Sequence, residues 1–326
     1  MKTKAIIFLK VAITALLFYF IFRNIDFKNF GTILKNARLE ILIAAFIVFW
    51  MGHFVCIFRW RMLMRPLMPV RSVMNLFRIY CIGLFFNLTF PTVVGGDVVK
   101  IYYVGKHSNS YSQSFAATFL DRDVGMLAMM IIACAAILIY PVSVPGVAVE
   151  IIIWGGFAGF ILGNVCLFTP RFRRAVSSLL LRCGFAKIGQ KMERVSSVFH
   201  IIGKKKSVLL ASLMISFLNQ ILYIASIWIT SVGLGLNIGF SYFLIFVPVI
   251  TLVSMIPVSL NGMGLREYAF MSLFSAIGVS PESCIALGLL SSIIIILSSL
   301  PGGVIYIFFK NKVDESRLTA LEEEFS

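Results

Sequence analysis

The sequence predicts an all-α polytopic membrane protein, and three observations carry that prediction. The first is composition: of 326 residues, 60% are apolar, 13% are charged and 31 are Phe. A soluble domain carries about 25% charged and 45–50% apolar residues. This chain therefore has more apolar surface than its polar side chains can cover, which excludes a soluble globular, disordered or fibrous class. The second observation is the gathering of apolar residues into long runs. The third is the placement of Lys and Arg between those runs. At about 20 residues per span, the length allows roughly six to nine spans. The runs resolve into about six full spans plus two Gly/Pro-broken re-entrant hairpins, about eight helical hydrophobic units in all.

In chain order the runs are Ala5–Phe22, Ile41–Phe58, Leu76–Phe90, Phe115–Tyr140, Val147–Phe168, Val208–Leu236, Phe240–Ile256, Tyr268–Ile277 and Cys284–Phe309. The first follows Lys2 and Lys4, with Lys10 able to snorkel. No small-x-small cleavage site follows it, only Phe22-Arg23-Asn24-Ile25-Asp26, so it reads as a retained helix. The six Cys form no CxxC pair and five lie in or beside apolar runs, which points to buried inert thiols.

The net charge of +15 would indicate nucleic acid in a soluble protein. Here the basic residues sit where membrane topology uses them, and no nucleic-acid partner is expected. Residues 1–10, 59–78, 100–111, 171–206 and the tail from Lys310 hold 23 of the 29 basic residues. Segment 171–206 alone holds ten, against the single Glu193. Positive-inside counting places both termini and that loop in the cytoplasm of a multi-pass cell (inner) membrane protein. Residues 59–78 and 100–111 then lie on the same side, so Leu76–Phe90 must enter and return. The pair Phe240–Ile256 and Tyr268–Ile277 makes the same excursion from the outside. Two short tilted crossings in each place would leave the topology unchanged.

Each excursion turns at a Gly/Pro-rich break. Pro91, Gly96, Lys100 and Tyr102 match Pro257, Gly262, Arg266 and Tyr268 in the pattern P-x4-G-x3-[KR]-x-Y, each pair 166 residues apart. Three crossings separate the breaks, so the halves have opposite orientation. An inverted repeat with broken helices is a transporter architecture. Residues 1–146 form the first half, with a tip near 91–97. Residues 147–310 form the second, with a tip near 257–264. Residues 171–206 are a basic cytoplasmic loop and 311–326 a cytoplasmic tail.

Helix ends supply the chemistry of such tips. Pro91 and Pro257 restrict the residues before them. Gly95, Gly96, Gly262 and Gly264 allow tight turns and close backbone approach. Asp97 is placed to cap the returning helix, and the free N–H groups there form an anion site. Lys100 and Arg266 lie in the first turn of each returning helix, where the dipole disfavours a cation. Asp97, Glu267 or a ligand phosphate should offset them.

These residues, taken with Phe58-Arg59-Trp60-Arg61-Met62-Leu63-Met64, Asp121-Arg122 and Leu300-Pro301-Gly302-Gly303, resemble the transmembrane region of lysylphosphatidylglycerol synthases and its stand-alone flippase-like relatives. The resemblance covers nearly the whole chain. Lys100 stands where the family usually has Arg, and Asn261 where it usually has Gly. Lys still binds phosphate, as a point charge rather than a fork, and Asn tolerates positive φ. The resemblance implies movement of a lipid between leaflets: an anionic or aminoacylated phospholipid, or a polyprenyl-phosphate-linked lipid. In the two-domain synthases a separate soluble domain makes the aminoacylated lipid. The chain ends about 17 residues after its last span, too few for a catalytic domain, so no enzyme activity is expected. A separate lipid-modifying enzyme is the implied partner.

The expected substrate-binding set is Lys100, Arg266, Gly95, Gly96, Asp97, Asn261, Gly262, Gly264, Glu267, Tyr102 and Tyr268, with Arg122, Asp121 and Arg59 behind it. Arg59 and Arg61 flank Trp60, which reads first as an interfacial anchor. Asp121-Arg122-Asp123 contains a D-x-D, but on a helix residues i and i+2 point apart and cannot share a metal. His53, His107 and His200 are scattered, and no zinc motif, nucleophile elbow or Walker loop occurs. No metal or cofactor is expected, and any driving force must come from gradients or lipid concentration. Residues 171–206 read as a topology-setting loop before a headgroup-binding surface. A membrane-embedded transferase, glycosyl or aminoacyl, needs a site rich in acids or His. A non-transporting accessory subunit predicts no cavity.

Overall fold

The computed structural model describes residues 2–23, 25–69, 72–90, 95–108, 110–142, 148–169, 201–256 and 258–309. Pro91, Pro257, nearly all of the basic 171–206 segment and the 311–326 tail lie outside them. Among the described residues every regular element is helical. The helices are α1 (Lys2–Arg23), α2 (Phe27–Lys35), α3 (Leu39–Met64), α4 (Val73–Thr89), α5 (Gly95–Ser108), α6 (Tyr111–Ile139) and α7 (Val149–Phe168). After the basic segment come α8 (Lys206–Gly233), α9 (Phe240–Ser254), a 3-10 turn (Leu260–Gly262), α10 (Leu265–Ser275) and α11 (Pro281–Phe308).

Helix length separates two kinds of element. α3, α6, α8 and α11 have 26 to 29 residues and are apolar enough to cross a membrane. α1 and α7, with 22 and 20 residues, are also long enough. At 1.5 Å per residue, the 14 residues of α5 and 11 of α10 give only ~21 and ~17 Å. A hydrocarbon core is ~30 Å thick, so each pairs with the helix before it, α4 or α9, as one broken unit. The arrangement is an all-α polytopic membrane fold.

Caps account for where several helices start. Ser72, Ser110 and Ser280 accept from the backbone N–H three residues on, opening α4, α6 and α11. Asp26 does the same for α2 by accepting from Lys28 and Asn29. At α10 the Gly264 N–H donates to Glu267 Oε2 at 2.7 Å.

The packing repeats itself. α3 and α8 lie along each other and join the two halves. Within the halves, α3 packs on α4, α4 on α5, α5 on α6 and α3 on α6; α8 packs on α9, α9 on α10, α10 on α11 and α8 on α11. The halves also exchange partners: α4 lies against α11, and α9 against α6. Small residues permit the first of these crossings. A Cβ at Gly302 would meet the Cys81 carbonyl, and one at Gly303 would meet the Phe85 ring.

Burial is inverted relative to a water-soluble domain, where charged groups face out. Ile151 and Leu162 are 73% and 65% exposed, whereas Arg59, Asp97 and Glu267 are 3%, 6% and 1% exposed. Apolar side chains face outward toward lipid, and the charge of the middle of the chain is turned inward.

Candidate functional site

Arg59 and Asp97, but not Glu267, line a cavity of about 300 Å³ where the two halves join. Its polar floor comes from α3 (Arg59), α4 (Asn87), α5 (Asp97, Lys100), α6 (Asp121, Arg122) and α8 (Gln220). Its apolar wall comes from Leu84, Met126, Met129 and Met255. Asp121 lies about 15 Å along the 29-residue α6 from Tyr111 at 1.5 Å per residue.

Two sets of ion pairs build the floor. In one, Arg59 Nε donates to Asp121 Oδ1 at 2.7 Å, and its Nη1 donates to Ser216 Oγ at 2.8 Å. Arg59 Nη2 reaches Cys56 Sγ at 3.6 Å. This guanidinium ties α3, α6 and α8 together, with each of its three nitrogens making one contact. Gly125 leaves the room it needs, since a Cβ there would lie 3.2 Å from Arg59 Nη1. In the other set, Asp97 takes Lys100 Nζ on Oδ1 and Arg122 Nη2 on Oδ2, both at 2.7 Å. Lys100 Nζ also stands 5.0 Å from the Tyr80 ring centroid and 5.7 Å from that of Trp60. Aromatic faces favour a cation there.

The hairpin geometry puts Lys100 at this depth. A Cβ at Gly83 would come within 2.9 Å of Lys100 Cγ, and one at Gly96 would collide with the Gly83 carbonyl and Asn87. The two glycines let α4 and α5 approach closely enough for Lys100 to reach past α4. Asn87 Oδ1 accepts from the Gly96 N–H at 2.8 Å. The predicted cap at Asp97 is therefore replaced. Its carboxylate binds the two cations, and Asn87 satisfies the backbone instead.

The second tip is built differently. Asn261, Gly262 and Gly264 all have positive φ, 49°, 75° and 80°. That conformation favours Gly and is tolerated by Asn. A Cβ at Gly264 would also meet Leu17 of α1 at 2.9 Å. Glu267 spends its oxygens on the Gly264 N–H and on Ser292 Oγ, which donates to Oε1 at 2.6 Å. Arg266 Nη1 donates to Ser292 Oγ at 3.3 Å and has no carboxylate partner among the described residues. The ion pair expected at both tips forms only at the first. Arg266 lines a separate pocket of about 10 Å³, which shares Tyr223 with the large cavity.

Of the remaining expected residues, Gly95 opens α5 and packs on Phe90. Tyr102 is buried in the apolar core beside Tyr103, away from the cavity lining. Tyr268 is 50% exposed on the surface. The interfacial-anchor reading of Arg59 and Trp60 is corrected. α3 continues to Met64, so both residues lie inside the helix and are buried. Asp121 and Asp123 line different cavities, on opposite sides of α6, as helical spacing requires. Asn87, Gln220 and Tyr223 were missed. A polar residue within an apolar run was the available signal.

A helical membrane protein with an internally repeated packing and a charged cavity between its halves is the class these features define. The chain belongs to the family described as lysylphosphatidylglycerol synthase TM region, which matches residues 7–303. It is 24% identical over 298 residues to UPF0104 membrane protein PH1989 of Pyrococcus horikoshii, covering 84% of this chain and 88% of the relative. It is 25% identical over 250 residues to a UPF0104 membrane protein of Methanothermobacter thermautotrophicus, covering 69% and 72%. No solved structure matches.

Proposed function

We propose that this protein is a flippase-like transporter that moves a lipid with an anionic headgroup between membrane leaflets. The observation that carries the proposal is the cavity of about 300 Å³ with a charged floor and an apolar, Met-rich wall. Three cations, Arg59, Lys100 and Arg122, face two carboxylates, Asp97 and Asp121, leaving one positive charge in surplus. An isolated charge at mid-bilayer costs ~3 kcal/mol on insertion scales. A lipid phosphate offsets that surplus as the surplus offsets the phosphate. The volume is at the lower end of ligand pockets, ~300–1,000 Å³, so it suits a headgroup whose chains remain in lipid.

Asp97 is the exchangeable member. It bridges Lys100 and Arg122, and a phosphate can take over either contact. Arg59 and Asp121 hold the floor in place. The aminoacylated phospholipid suggested by the family, an unmodified anionic phospholipid and a polyprenyl-phosphate lipid share this phosphate chemistry. The protein acts in the cytoplasmic membrane with both termini inside, as positive-inside counting places them. It has no catalytic role of its own, and a separate lipid-modifying enzyme supplies its cargo. An accessory subunit without transport would have no use for the cavity.

The test is a leaflet-resolved assay of fluorescent phosphatidylglycerol in proteoliposomes. Wild type should equilibrate the lipid, Lys100→Gln should slow it by about tenfold or more, the equivalent of ~1.4 kcal/mol on the barrier, and Lys100→Arg should retain most of the rate. A well-folded Lys100→Gln variant working at the wild-type rate contradicts the proposal.

A further inference from the structure

We infer that Tyr223 is the partition between two headgroup stations, one at Lys100 and one at Arg266; this rests on the flippase reading above. Tyr223 is the residue that lines both the large cavity and the Arg266 pocket. The first holds about 300 Å³ and the second about 10 Å³. The smaller volume is that of about one water, so this conformation has room for a headgroup at Lys100 and none in the pocket behind Tyr223.

The Arg266 pocket holds a guanidinium with donors to spare. A guanidinium carries five N–H donors. Among the described residues Arg266 makes one hydrogen bond, to Ser292 at 3.3 Å. The neighbouring Glu267 carboxylate is already committed to Gly264 and Ser292. Ser226, Thr230 and Ser291 also line the pocket, but their hydroxyls donate to the Ala45, Ser226 and Leu287 carbonyls, so Arg266 is the anion donor there. The repeat gives the pocket its meaning. Arg266 follows Lys100 by 166 residues. Each cation sits near the start of the second helix of its hairpin. Each is linked to the long helix that follows, Lys100 to α6 through Asp97 and Arg122, Arg266 to α11 through Ser292. The two halves present the same station in different states.

What separates them is an aromatic wall. The Tyr223 ring lies 6.1 Å from that of Phe49, and Phe49 lies 4.7 Å from His53. His53 Nδ1 is 3.1 Å from Tyr80 Oη, and Tyr80 faces Lys100. The Tyr223 hydroxyl makes no hydrogen bond among the described residues. Ring packing alone holds it, so a rotamer change opens the wall without breaking a polar contact. A phosphate at Lys100 would then meet Arg266.

Accessibility tests the partition without requiring transport. Ser291→Cys is placed in a background with the six native Cys replaced by Ser, and the protein in proteoliposomes is treated with an anionic methanethiosulfonate. Tyr223→Ala should raise the labelling rate by about tenfold or more, and Tyr223→Phe should leave it unchanged. If Tyr223→Ala is poorly folded, Tyr223→Leu carries the same expectation as Tyr223→Ala. Unchanged labelling in a well-folded Ala or Leu variant overturns the inference, as does equally fast labelling in Tyr223→Phe. The same preparations are assayed with fluorescent phosphatidylglycerol. Gated labelling without lipid movement leaves the partition standing and refutes the flippase reading. Lipid movement with ungated labelling does the reverse.

Discussion

Arg59 and Lys100 are both buried cations, and their surroundings assign them different work. Arg59 spends its fork on Asp121, Ser216 and Cys56, three anchors on two other helices and its own. Removing one partner of a buried pair leaves an uncompensated charge and costs ~3–5 kcal/mol. Asp121→Asn should therefore lower thermal stability in detergent strongly, measured by a melting curve. Arg122→Gln should cost ~1 kcal/mol or less, the scale of a partly exposed pair, because the Arg122 side chain is 35% exposed. Equal melting temperatures for the two variants would show that Arg59–Asp121 is not the strut. The charged types were legible in the sequence, since Lys or Arg at membrane depth invites a functional reading. Their partners were not. Asp121 is 62 residues from Arg59 and Ser216 is 157, and no local spacing connects them.

At the level of elements, the close approaches depend on glycines whose missing side chains are occupied by neighbours. Gly96 and Gly302 have backbone where a Cβ would go. Gly155 and Gly159 of α7 have nothing within 4 Å. Gly96→Ala and Gly302→Ala should thus abolish or sharply reduce monodisperse protein on size-exclusion chromatography. Gly155→Ala and Gly159→Ala should be neutral or stabilising by up to ~1 kcal/mol, the helix-propensity gain. A monodisperse Gly96→Ala protein with wild-type melting would mean that α4 and α5 are farther apart than described. The broken hairpins were visible as Pro and Gly interrupting apolar runs. α2 was not, because its nine residues are too short and too polar to stand out as a run. The cap at Asp97 was misassigned because a carboxylate near a helix start suits both a cap and an ion pair. The choice fell to Arg122, on another helix.

For the whole molecule, the 166-residue offset is the sequence sign of a repeat, and α3–α6 and α8–α11 share an order of helix contacts. The sequence could not tell that Lys100 and Arg266 line separate pockets although their motifs match. Which tip faces the large cavity is a property of tertiary arrangement rather than of either motif. The central claim is that a lipid headgroup enters the cavity between the halves. Phosphatidylglycerol carrying a photoreactive group on its headgroup, crosslinked in proteoliposomes and mapped by mass spectrometry, tests this most directly. The expected adducts fall on the α4, α5 and α6 residues lining the cavity, notably Leu84, Met126 and Met129, and are lost in the Lys100→Gln/Arg122→Gln double variant. Adducts confined to outward-facing residues such as Ile151 and Leu162, and equally abundant in the double variant, would contradict it.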